Sequence, residues 1–196
     1  MSSPVARLLL GWAVACLLCF ACTSTNPRVL IRTEMGDIVV EIYPAKAPIT
    51  AANFLRYVKE DRFEGATFYR TVTMANQPDN DIKIEVIQGG LGEDEAGLGL
   101  PAIEHEITTR SGLRHLDGTI SMARAEPGTA SSEFFICIGD QPELDFGGRR
   151  NPDGQGFAAF GRVIKGMDVV RKIQARPADG QWLDSRVKIT GITLLK

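Results

Sequence analysis

The sequence predicts a mainly β fold, a closed antiparallel barrel with two helices. Three observations carry the prediction. Short segments of alternating apolar and polar residues recur along the chain, each bounded by turn formers. Glycine (20 residues) and proline (10) are frequent, which favours strands and turns. Only two stretches, 48–60 and 166–174, carry apolar residues at helical spacing. A chain of 196 residues suits one domain with a sizeable core, and it has no internal repeat. The formal net charge of −2 argues against a nucleic-acid partner.

Residues 1–26 differ from the rest. Arg7 precedes fifteen uncharged residues, 8–22, followed by small polar ones. This is the pattern of a secretory leader, and it is short for a membrane span. The protein is therefore expected to be exported, with a leader and short linker over 1–26 and one domain over 27–196. Cys16, Cys19 and Cys22 lie in the leader and only Cys137 in the body, so no disulfide framework is expected. Cys22, before Thr23-Ser24-Thr25-Asn26, looks like the lipidated cysteine of bacterial lipoproteins, although Cys19 stands where leucine is usual. Two outcomes follow from the leader: a cleaved signal leaving a periplasmic protein, or membrane attachment through a lipid on Cys22.

The elements follow in order. Val29, Ile31 and Thr33, then Ile38, Val40 and Ile42, alternate about Gly36-Asp37, a hairpin signal. Proline is tolerated in a first helical turn, so the first helix begins at Pro48, with Ile49, Ala52, Leu55 (beside Phe54) and Val58 spaced as its core face. Strands are predicted over 66–72 and 83–88, with a polar loop over 73–81 between them. A glycine-rich loop follows to Gly99; Gly97-Leu98-Gly99 has no strand–helix context for a dinucleotide site. Residues 101–107 read as a short strand or turn. Its Glu104-His105-Glu106 triplet is no metal set, since adjacent residues on a strand cannot all point one way. His115 is read as a structural hydrogen-bonding residue. No G-x-S-x-G motif supports hydrolase chemistry. After a loop over 142–156, a strand is predicted over 157–164. The second helix carries Met167, Val170 and Ile173 on one side, and a last strand over 186–195 changes phase at Gly191, the mark of a bulge.

The segment 118–139, GTISMARAEPGTASSEFFICIG, is the centre of the sequence: two apolar runs around a loop of small and polar residues. G-T-I-S-M-A followed by F-F-I resembles the signature of the cyclophilin-type peptidyl-prolyl isomerases. Four further pieces stand in that family's order: Ala47-Pro48-x-Thr50-x-x-Asn53-Phe54, Phe68-Tyr69-Arg70, Ile87-Gln88-Gly89-Gly90, and F-G-R-V with G-M-D-V-V over 160–170. Any one is weak, but together they are specific.

The resemblance implies an eight-stranded antiparallel barrel capped by two helices, acting on proline-containing polypeptides as a monomer without cofactor or metal. The implied reaction is rotation about the Xaa-Pro bond, against a barrier of about 18–20 kcal/mol set by amide resonance. It further implies that Arg70 is the catalytic cation, withdrawing the prolyl nitrogen lone pair from that resonance. Gln88 orients Arg70 and bonds the substrate backbone. Phe135 is the floor of the proline pocket; Val86, Leu144 and Phe157 are its walls. Ala123 and Arg124 offer backbone to an extended peptide, Arg124 standing where asparagine is usual. Four departures matter. Eighteen positions separate Arg70 from Gln88, more than the family usually has, so an insertion centred on Asn76-Gln77-Pro78 is expected. Glu85 falls where the family has an aromatic residue, and a carboxylate there could neutralise Arg70. That would leave a proline-peptide-binding or chaperone-like module in place of an enzyme. Glu143 replaces the tryptophan linked to cyclosporin binding, which implies weak binding of that drug; Glu133 replaces a glutamine.

Overall fold

The computed structural model describes residues 26–92 and 99–195. The expectations for the leader, Cys22 and Gly97 fall outside these residues. Strands β1 (Arg28–Thr33) and β2 (Gly36–Ile42) form the predicted hairpin, turning through Glu34 and Met35. Helix α1 (Pro48–Lys59) follows, then β3 (Thr67–Val72), β4 (Val86–Gly90), a one-turn helix α2 (Thr108–Ser111), β5 (Thr119–Met122) and β6 (Phe134–Cys137). The chain continues through β7 (Ala158–Lys165), helix α3 (Met167–Gln174), a two-residue β8 (Ala178–Asp179) and the long β9 (Trp182–Leu195).

Every strand pairing is antiparallel, in the order β1-β2-β7-β5-β6-β4-β3-β9, and β9 pairs back onto β1. Eight strands thus close a ring; β8 adds to β9 outside it. Closure removes the sheet edges that an open sheet would leave unpaired. The bulge expected at Gly191 is present: Arg32 faces Gly191 but Thr33 faces Ile189, leaving Thr190 unmatched.

Period-two alternation fills the ring. Val29, Ile31, Ile38, Val40, Phe68, Ile87, Ile120, Phe134, Ile136 and Phe160 point inward and are all but fully buried. Helix α1 closes one end, its Phe54 ring lying 5.0 Å from Phe160 and 5.6 Å from Phe134. The face it buries includes the predicted Phe54, Leu55 and Val58, but is wider and leaves out Ala52. Thr50, Ala51, Asn53, Phe54, Leu55, Tyr57 and Val58 turn inward, whereas Ala52 is exposed. The polar members are tolerated because each finds a partner. Glu106 accepts from the Thr50 N–H and hydroxyl at 2.7 and 2.6 Å. Asn53 donates to Ser131 O at 2.7 Å, and the Leu100 N–H donates to the Tyr57 hydroxyl at 2.6 Å. A pure hydrophobicity count discards such residues.

Other differences are local. Two longer helices are joined by α2, which was not predicted. Residues 101–107 form no strand: Glu104 pairs with Arg110, His105 meets Gln155 O, and Glu106 holds α1, so the three side chains take separate partners. The strand read from residue 83 begins at Val86, because the preceding residues belong to the 73–85 loop.

Candidate active site

A second apolar cluster lies outside the barrel core: Val72, Ile84, Val86, Phe135, Cys137 and Leu144, with Ala123 and Phe157 packed against it. It arises from the same alternation. Phe134 points into the ring, so its neighbour Phe135 points out. Val86 and Cys137 share that outer face, cross-strand from one another. Phe157 meets Phe135 edge-on at 5.3 Å, and Leu144 is fully buried beside them. The fold thus gathers the predicted residues Val86, Ala123, Phe135, Leu144 and Phe157 into one apolar patch.

Arg70 and Gln88 border this patch. Register places Arg70 opposite Gln88, and Gln88 opposite Phe135, on three adjacent strands. A bulge at Tyr69 interrupts β3: Phe68 faces Gly89 and Arg70 faces Gln88, leaving Tyr69 unmatched. The extra residue lets both Tyr69 and Arg70 project outward. Gln88 Oε1 accepts from Arg70 Nη1 at 2.6 Å. On the other side, Gln181 Oε1 accepts from Arg70 Nε at 3.1 Å and Nη2 at 2.5 Å. A guanidinium has five N–H donors. Three are committed here, so two can point at a ligand. Burial lowers Arg70 from its ordinary value, but arginine remains cationic. Among the described residues, no carboxylate forms an ion pair with it.

Glu85 does not enter the site. Its carboxylate accepts from Gln174 Nε2 at 3.4 Å, at the end of α3. The second charge near Arg70 is another cation, Arg150, which donates to Ile82 O at 2.6 Å. Burial, and then the charge of Arg70, pull Arg150 below its usual value.

The loop between β3 and β4 is tied down by its own amides. Gln77, only 2% exposed, donates to Thr73 O and Ile84 O and accepts from the Ile84 N–H. Asn76 bridges Thr71 O and Gly180 O, and Gln181 Nε2 donates to Asn76 O at 3.3 Å. Gln181 thus joins this loop to Arg70. Replacing Gln181 with leucine is expected to lower kcat/KM by at least about tenfold, since both hydrogen bonds it accepts from the charged Arg70 are lost. Peptide exchange kinetics check this.

Arg124 plays a role its sequence position does not suggest. Its side chain is 1% exposed and packs over Phe157 at the edge of the patch. It donates to Asp153 at 2.7 and 3.1 Å and to Gly156 O, and its guanidinium lies 5.1 Å from the Phe157 ring centre. The hydrogen bonds from Arg124 hold the Asp153 carboxyl below the usual range. Arg124 therefore braces the loop that carries Phe157 and leaves only its backbone for a peptide. The Ala123 N–H is already taken by Glu133 O at 2.8 Å. Glu143 is engaged by Arg149 at the rim.

Beneath Phe135 lies an arrangement that would suggest hydrolysis if distances alone were read. His115 Nδ1 is 2.7 Å from Asp145, and Nε2 is 2.9 Å from the Ser121 hydroxyl. Ser121 is fully buried, however, and the His115 ring stacks 5.9 Å from Phe135. No acyl group can reach that hydroxyl, so the trio supports the aromatic floor. A fluorophosphonate probe is expected to leave Ser121 unlabelled by mass spectrometry.

Sequence reasoning missed Gln181, Asn76 and Asp153. Gln181 is distant from Arg70 in sequence and belongs to no motif; only the β3–β9 pairing brings the two together.

The site is thus a cation fixed by neutral amide acceptors beside a buried aromatic cluster. The comparisons identify the class. The family model for cyclophilin type peptidyl-prolyl cis-trans isomerases matches residues 28–194, and the chain belongs to that family. A peptidyl-prolyl cis-trans isomerase of Acinetobacter baylyi is 37% identical over 172 residues, 87% of this chain and 84% of that protein. Isomerase B of Escherichia coli is 35% identical over 149 residues, 74% of this chain and 83% of that one. A crystal structure of a Cryptosporidium parvum cyclophilin type isomerase superposes with a TM-score of 0.70 at 22% identity, over 87% of this chain and 98% of that one. A second structure of that protein was determined in the presence of the dipeptide Ala-Pro.

Proposed function

We propose that this chain accelerates rotation of Xaa-Pro bonds in exported polypeptides, as a monomer, with Arg70 as its catalytic residue. The observation that carries the reading is the state of Arg70: held on two sides by amide oxygens, unopposed by a carboxylate, and next to the Phe135 patch. In this mechanism the proline ring packs on Phe135, between Val86, Leu144 and Phe157. As the amide twists, its nitrogen regains a lone pair. The two uncommitted N–H groups of Arg70 donate towards it, an interaction absent from the planar amide, so it lowers the barrier. Gln88 uses one N–H on Tyr69 and keeps the other for a peptide carbonyl. The Ala-Pro dipeptide used with the Cryptosporidium relative supports a proline ligand here. The leader supports export, with Cys22 as its lipid-bearing residue, and the 73–85 loop is read as an insertion that narrows the groove.

Exchange NMR of a short Xaa-Pro peptide tests the activity: acceleration over the uncatalysed ~10–100 s is expected, and its absence defeats the reading. Mass spectrometry of the protein from membranes tests the lipid; an unmodified Cys22, or its removal with the leader, refutes attachment. The binding-module alternative needs Glu85 to neutralise Arg70. Because Glu85 faces Gln174, Glu85→Gln is expected to leave the exchange rate within about twofold, as for a surface substitution. A large gain in rate would restore the alternative.

A further inference from the structure

One chain of hydrogen bonds in the site has its direction set at both ends, by a group that only donates and a group that only accepts. Glu133 is the residue before Phe134 on β6, and its carboxylate accepts from the Tyr69 hydroxyl. The other oxygen, Oε1, accepts from the Gly92 N–H at 2.9 Å and the Ser132 hydroxyl at 3.0 Å. The Tyr69 oxygen accepts in turn from Gln88 Nε2 at 2.8 Å, and Gln88 Oε1 accepts from Arg70.

An ionised carboxylate only accepts hydrogen bonds, and an arginine only donates. Tyrosine has one proton, and an amide has one acceptor end and one donor end. With Glu133 at the head, the tyrosine must donate towards it. Its lone pair must then receive the NH₂ end of Gln88, which leaves the amide oxygen facing Arg70. Reversing any link sets the amide NH₂ against the guanidinium, donor against donor. We infer that Glu133 is a positioning residue for the isomerase reaction: through Tyr69 it anchors the NH₂ end of the Gln88 amide and so holds the amide in the one orientation that Arg70 accepts.

Three further observations fit this assignment. Burial, then the Glu133 charge, push the Tyr69 hydroxyl well above its usual range, so it stays a donor. Trp182 stacks on the Tyr69 ring at 5.8 Å and holds its plane. Gly90, at φ +148°, leaves the space the carboxylate occupies: a Cβ there would lie 2.6 Å from Glu133 Oε2. A second glycine after Gln88 is thus required by Glu133 as well as by its backbone angle.

The inference rests on the isomerase reading, and the test separates the two. Exchange NMR is run on the wild-type protein, Tyr69→Phe, Glu133→Gln and the double variant, with peptide Kd and thermal midpoint measured in parallel. Tyr69→Phe removes the acceptor for the Gln88 NH₂. In Glu133→Gln the new NH₂ must face either the Tyr69 oxygen or the Gly92 N–H. Each single variant is expected to lower kcat about tenfold with Kd within about twofold, since the Gln88 amide that accepts from Arg70 loses its anchor on the Tyr69–Glu133 side. The double variant is expected to fall no further than the worse single, because both act through one hydroxyl. The Gln88 side-chain amide protons should move upfield in Tyr69→Phe. Unchanged rates in both singles, losses that multiply in the double, or losses accompanied by a lowered thermal midpoint would overturn the inference. A wild-type protein without Arg70-dependent exchange would instead overturn the isomerase reading. The Gln88 amide shift, which needs no turnover, would still test the chain of bonds.

Discussion

Replacing Arg70 with alanine is expected to lower kcat/KM for a Xaa-Pro peptide by about two to three orders of magnitude, the usual weight of one preorganised donor aimed at a developing charge. The barrel should stay folded, because Arg70 lies on its outer surface and its side chain contributes nothing to the Phe54–Phe134–Phe160 core. Peptide affinity should fall much less than the rate, since the apolar patch is intact and the lost interaction strengthens only as the amide twists. Arg70→Lys is the sharper comparison. It keeps the charge but not the planar fork that reaches Gln88 on one side and Gln181 on the other. It should therefore lie near alanine, and a lysine variant close to wild type would mean that charge alone suffices. The checks are exchange NMR for the rate and titration for the affinity.

The second large effect comes from two neighbours in sequence. Phe134 is fully buried within the ring, with its ring centroid 5.6 Å from Phe54, 5.9 Å from Phe63 and 5.8 Å from Phe68. Truncation to alanine is expected to cost about 3–5 kcal/mol, a transfer loss plus a cavity. For a chain of this size that lowers the thermal midpoint by roughly 10 °C. Phe135→Ala removes a side chain from the outer patch, where Phe157, Leu144 and His115 surround it. Its main consequence should be lost peptide affinity and turnover, with a smaller change in midpoint than Phe134→Ala. Thermal melts and peptide titration of the pair decide the matter. If Phe135→Ala proved the more destabilising, the outer patch would be a structural core and the pocket assignment would be wrong.

Much of this architecture was legible in the residues. Alternation in β1 and β2 marked the inner face because nothing polar competes there, whereas β6 is apolar on both sides. Resemblance pointed to Arg70, Gln88, Phe135, Val86, Leu144 and Phe157, and the fold brings them together. What could not be read depends on partners remote in sequence. The polar part of the buried face of α1 was missed because Thr50 and Asn53 are made acceptable by Glu106 and Ser131. Glu85 looked threatening on a straight count from Gln88, but a loop pinned by Gln77 precedes β4 and Gln174 draws the carboxylate aside. The bulge at Tyr69 carries no sequence mark: F-Y-R reads equally well as an unbroken strand. Yet that extra residue lets two adjacent side chains share one face.

The pairing of β1 with β9 has a consequence for the time course of synthesis. Arg70 is made early, but Gln181 and the strand that seals the ring follow only at residues 181–195. At about 5–20 residues per second, the interval between Arg70 and Gln181 lasts roughly 5–20 s. Throughout it the nascent chain has an arginine without its clamp and a ring that cannot close. The two-sided hold on Arg70 is therefore completed last, once β9 has been made and has docked on β1 and β3.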